Sequence, residues 1–164
     1  MSRRYYRRTP RSNRDKYSVE QTFIKTGQSQ TWTQVPAVEG STVNTYQYSI
    51  SVIPPTETQG MRKVKHFTLT FAPANDMAYA LVYVPEGYDP NVINYPVDGM
   101  AISMYEPNQF VISQGILDSQ SGQLRIRSPL SRNLNSGDSI YLILATPAQN
   151  NNTTCTVKYA ITLQ

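Results

Sequence analysis

From about residue 17 to the end of the chain, apolar side chains recur at every second position, and this period decides what the chain can fold into. Tyr46, Tyr48, Ile50 and Val52 alternate with Gln47, Ser49 and Ser51. Phe67, Leu69 and Phe71 alternate with Thr68 and Thr70, and Leu124 and Ile126 with Arg125 and Arg127. Cys155, Val157, Tyr159, Ile161 and Leu163 alternate with Thr156, Lys158, Ala160 and Thr162. A period of two puts one set on a core and the other on the opposite face of a strand. No stretch above ten residues carries the apolar stripe of a helix. Runs 18–25, 77–84, 109–117 and 139–146 are also β-rich. The last three are apolar on both parities, as expected of strands covered on both faces.

Eight strands are expected, over 17–26, 42–53, 62–72, 77–85, 109–117, 122–128, 138–146 and 154–163. Pro54-Pro55, Pro73 to Asp76, Asn135-Ser136-Gly137-Asp138 and Asn150 to Asn152 supply the breaks. Ser119 to Gly122 reads as a tight hairpin. Segment 86–108, rich in Pro, Gly, Tyr and Asn, reads as one long connection. The fold class is therefore all-β: an eight-stranded antiparallel single jelly roll, with an immunoglobulin-like sandwich as the rival. In jelly-roll order the strands B to I form sheets B-I-D-G and C-H-E-F.

Charge divides the chain into two parts. Residues 1–16 hold Arg3, Arg4, Arg7, Arg8, Arg11, Arg14 and Lys16 against the single acid Asp15, a net charge of +6. Residues 17–164 hold 8 basic and 10 acidic side chains, a net charge of −2. The first segment has no aliphatic residue after Met1 and contains Pro10, so it is expected to be a disordered arm. Guanidinium groups grip phosphates in a fork and stack on bases, and Tyr5 and Tyr6 between two Arg pairs can stack on unpaired bases. The arm reads as nucleic-acid-binding, with nuclear import as a second use of the same residues. In the body, parity places Arg125, Arg127 and Lys158 on the face away from the core, the candidate extension of that site. Lys63 and Lys65 share the parity of Phe67, so they face solvent only near the strand end or past a bulge. Arg132 falls in a loop.

Charged residues are only 16% of the chain, while Ser, Thr, Asn and Gln number 54, giving a polar, weakly charged surface that can meet copies of itself with little repulsion. No GxGxxG, P-loop or GxSxG occurs, and the chain has one Cys and one His. No catalytic constellation, cofactor or metal site is expected. No apolar run is long enough to span a bilayer, so no membrane insertion is expected.

An Arg-rich arm before one jelly roll resembles the capsid proteins of small circular, Rep-encoding single-stranded DNA viruses, the circovirus-like group. The Arg-Arg-Tyr-Tyr-Arg-Arg start and the Arg132-Asn-Leu-Asn-Ser-Gly-Asp138 run before an apolar strand carry the likeness. The resemblance implies a homo-oligomer of roughly sixty copies closing a T=1 icosahedron, with the B-I-D-G sheet lining its interior. It implies a packaged single-stranded DNA genome, RNA being the other candidate cargo, and a location in the virion and, during assembly, in the host nucleus. The receptor is not legible. The alternative from the residues alone is a non-assembling β-sandwich that binds single-stranded nucleic acid. A carbohydrate-binding jelly roll leaves the arm without a role.

Among single residues, His66 is expected at the surface of strand D, and Cys155 in the core. Trp32 is expected either to anchor an interface or to cap the sandwich.

Overall fold

The computed structural model describes residues 17–25, 32–35, 45–90, 110–147 and 152–163. The arm, with Arg3, Arg4, Tyr5, Tyr6, Arg7, Arg8, Arg11, Arg14 and Lys16, lies outside the described residues, as does most of the 86–108 connection. The described chain is all-β, in two antiparallel sheets packed as a sandwich. The strands are β1 (Ser18–Lys25), β2 (Thr33–Val35), β3 (Thr45–Ile53), β4 (Arg62–Ala72), β5 (Met77–Val84), β6 (Phe110–Leu117), β7 (Leu124–Ser128), β8 (Arg132–Leu134), β9 (Ser139–Thr146) and β10 (Thr154–Leu163). The first sheet runs β1-β10-β4-β7, with β8 also paired to β4; the second runs β2-β3-β9-β5-β6.

Among the described residues ten strands stand where eight are expected, and the two extra ones are short. β2 is a three-residue strand beside β3. β8 follows β7 along the same edge of β4, separated from it by Pro129, which has no N–H to donate to a ladder. Arg132 is therefore on a strand, not in a loop. The Ser119–Gly122 hairpin does not form. β6 pairs with β5 and β7 with β4, so this segment crosses from one sheet to the other through a 3-10 turn, Ser119–Ser121. Asp76, in the other crossing at that end, fastens it: Oδ1 accepts from Ser119 N and Ser119 Oγ, both at 2.8 Å. Those two bonds hold the exposed Asp76 carboxyl below its ordinary range.

Between the sheets lie Ile24, Phe67, Leu69, Phe71, Met77, Leu81, Leu117, Leu134, Ile140, Leu142 and Leu144, each 2% exposed or less. Trp32 belongs to this core, its ring 5.6 Å from that of Tyr48, so it caps the sandwich from within. A second apolar cluster, Ala78, Ala80, Val82, Val84, Ile143 and Ala145, occupies the other face of β5 and β9. These two strands are buried on both faces as expected. β6, at the sheet edge, is not, with Phe110 and Ile116 exposed.

Close packing makes two outcomes predictable. A Cβ at Gly115 would stand 2.9 Å from Tyr79 Cε1, and that ring is pinned 5.0 Å from Phe71. Gly115→Ala should destabilise the fold by about 1–3 kcal/mol, read as a lower urea midpoint. Cys155 is fully buried, and burial pushes its thiol up from 9.0 to about 12. The unfolded thiol ionises first, so the folded state's advantage is intact below pH 9 and is lost between pH 9 and about 12. Midpoints measured across that window should fall in the native chain and fall less steeply in Cys155→Val.

Candidate nucleic-acid interface

All eight basic residues of the body stand on strands of the first sheet: Lys25, Arg62, Lys63, Lys65, Arg125, Arg127, Arg132 and Lys158. Among the described residues, the strands of the second sheet carry no charged residue. Five of the eight side chains converge on the outer face of the first sheet. Arg125 and Arg127 are exposed on β7, opposite Thr70 and Thr68, and Lys158 is exposed on β10, opposite Thr68 on one side and Gln21 on the other. Arg127, Thr68, Lys158 and Gln21 thus form one row across four strands. Arg125, Thr70, Thr156 and Phe23 form the next.

Lys63 and Lys65 join this face because of a bulge. Thr68 pairs with Lys158, but Lys65 pairs with Ala160, so two β4 residues, His66 and Phe67, oppose Tyr159 alone. His66 sits at φ 60°, the left-handed region, and is exposed. The extra residue reverses the parity of the preceding segment. Arg62 and Val64 turn inward, while Lys63 and Lys65 turn out opposite Thr162 and Ala160. Lys65 Nζ then lies 3.6 Å from the centre of the Tyr17 ring.

The outer positions of these strands carry no Asp or Glu; Glu20 on β1 is opposite Tyr159, on the other parity. Strands stand about 4.8 Å apart, so neighbouring cations lie within about one Debye length at physiological salt and their fields reinforce. Phe23, 63% exposed at the β1 end of the Arg125 row, supplies a ring on which a base can stack. Sequence reasoning does not single out Phe23 or Tyr17, and it makes Lys63 and Lys65 conditional on a bulge. The signal for Phe23 is its parity with Gln21 and its opposition to Ile24. Nothing local in the sequence announces the bulge.

Arg62 is not part of the face. It is 7% exposed, donating from Nη1 to Pro54 O at 3.3 Å and from Nη2 to Asp138 O at 2.9 Å. No group of three or more potential metal ligands occurs among the described residues. No described helix is long and apolar enough to cross a membrane.

No protein-family model matches the chain, and no curated protein sequence matches it. Among solved structures, it is similar to the GH26-CBM35 β-(1,4)-mannanase of Podospora anserina, at 14% identity and a TM-score of 0.31. That likeness covers 88% of this chain and 28% of the mannanase chain.

Proposed function

We propose that this chain is the coat protein of a small circovirus-like single-stranded DNA virus. Its β-sandwich is the shell unit, about sixty copies of which close a T=1 particle. The first sheet faces the interior, and the arm and that sheet's outer face hold the packaged strand. The observation that carries this reading is the one-sided charge: every body cation on one sheet, five of them on its acid-free outer face. With the short strands β2 and β8 set aside, the orders β1-β10-β4-β7 and β3-β9-β5-β6 are those of a jelly roll's B-I-D-G and C-H-E-F sheets. Phosphate contacts dominate such an interface, so binding is independent of base sequence.

The test is negative-stain electron microscopy of the purified chain, with absorbance at 260 and 280 nm on the same fraction. Uniform closed particles with raised 260 nm absorbance, followed by nuclease typing of the cargo, support the coat-protein reading. Monomers or small oligomers across salt and pH overturn it in favour of a non-assembling single-strand-binding module.

A further inference from the structure

Beyond the flat cationic face, the sandwich has an open groove of about 430 Å³ at its edge, within the size range of small-ligand sites. Among the described residues it is lined by Lys63, Tyr83, Phe110, Ser131, Arg132 and Asn133. It lies where the edge strand β8 of the first sheet meets the edge strand β6 of the second. The register explains its make-up. Asn133 pairs with Lys63 on the outer parity, whereas Arg132 pairs with Val64 on the inner one. Because β8 is an edge, Arg132 spans the gap between the sheets, its guanidinium carbon 5.6 Å from the centre of the Phe110 ring.

Three features give the groove a defined chemistry. First, it carries two cations, Lys63 and Arg132. The nearby Asp138 carboxylate has three donors of its own, Asn135 N at 2.7 Å, Tyr83 Oη at 2.9 Å and Glu86 N at 3.2 Å. Among the described residues Arg132 Nε is buried without a hydrogen-bond partner. Second, part of its lining is aromatic: Phe110 is 48% exposed, its ring 5.8 Å from that of Tyr83. Third, Ser131 and Asn133 at the mouth are exposed polar groups able to bond the edge of a base.

We infer that this groove is a nucleotide site, holding one nucleoside phosphate with its phosphate on Arg132 and Lys63 and its base against Phe110. A bare phosphate leaves the aromatic wall unused, and an uncharged aromatic leaves two cations unmatched. Lys63 belongs both to the groove and to the outer face, so the nucleotide can be a free one or one unit of a strand lying on that face. The second source rests on the nucleic-acid reading above; the site itself does not.

The experiment is equilibrium dialysis of the full chain against adenosine 5′-monophosphate, adenosine and inorganic phosphate. The monophosphate should bind at least about tenfold tighter than either fragment. Arg132→Gln and Phe110→Leu should each weaken it by about tenfold, while Ile116→Ala, exposed further along β6 and outside both the groove and the cationic face, should leave it within about twofold. Melting curves check that each variant is folded, and Lys63→Gln serves if Arg132→Gln is not. Competition by oligo(dA) with and without a 5′-phosphate distinguishes a strand terminus from an internal unit. Equal binding of monophosphate and inorganic phosphate, indifference to Arg132→Gln in a folded variant, or equally potent competition by a sulfated disaccharide overturns the assignment. The particle test and this one fail separately: a chain that never assembles can still bind the monophosphate, and a shell can form around an empty groove.

Discussion

Removing residues 1–16 should leave particles that form normally but carry little nucleic acid. The segment holds seven of the chain's 15 basic residues and one acid, and without it the remaining chain has a net charge of −2. A body of that sign attracts no polyanion except at the local face of the first sheet. Each phosphate neutralised on a single strand adds about 0.7 to the slope of log K against log salt. Removal of the arm's cations should therefore flatten the slope by about 5, measured with single-stranded oligonucleotides on protein held below its assembly concentration. Neutralising Arg125, Arg127 and Lys158 to Gln should flatten it by only about 2. In particles, the ratio of 260 to 280 nm absorbance should drop toward that of protein for the truncation and move part of the way for the triple variant. Truncated particles with an undiminished ratio would remove the arm from the mechanism and leave the sheet face as the sole carrier.

The second large effect is on stability. Asp138 is 4% exposed and ties three elements together. Its carboxylate holds the Asn135 turn, the backbone after β5 through Glu86 N, and Tyr83 on β5. Its backbone carbonyl receives Arg62 from β4. Burial, reinforced by the bond to this carboxylate, pushes the Tyr83 phenol up to about 12. Asp138→Ala leaves two backbone N–H groups and one phenol without their acceptor. Hydrogen bonds to a charged partner are worth about 1.5–3 kcal/mol each, and the losses overlap, so the expected cost is about 3–5 kcal/mol. That is a large part of the ~5–15 kcal/mol that holds a domain together. The urea midpoint should fall accordingly, and Asp138→Asn should fall less, because an amide oxygen in the place of Oδ2 still accepts from Asn135 N and Tyr83 Oη. A loss below about 1 kcal/mol would mean that water satisfies the stranded groups and that the knot is incidental.

Much of the sandwich could be read from the alternation because its strands are half-buried, so each core position declares itself. β4 and β10 end where expected because Pro73 and the Asn150 to Asn152 run break the pattern on either side. What failed did so for non-local reasons. Ser119 to Gly122 has the composition of a hairpin, yet whether its flanking strands pair is decided by β4 and β5, far away in sequence. β8 is too short to show a period, and Pro129 hides that it continues the edge begun by β7. In the sequence Arg62 resembles any other strand cation. Its burial follows from Asp138, 76 positions further on. Arg125, Arg127 and Lys158 needed only parity, and the structure puts all three where parity does. The groove was invisible because Arg132 and Phe110 come from different sheets.

The single extra residue at His66 acts on β4 as a one-base insertion acts on a reading frame. Everything before it is displayed in the opposite phase: two lysines are shown to one side and Arg62 and Val64 to the other. Deleting that residue would send the two ammonium groups toward the core side of the sheet without altering a single charge in the composition. The strength of the cationic face is thus set by spacing as much as by the number of basic residues. Two chains with identical charge totals could present very different faces if one of them carried this frameshift and the other did not.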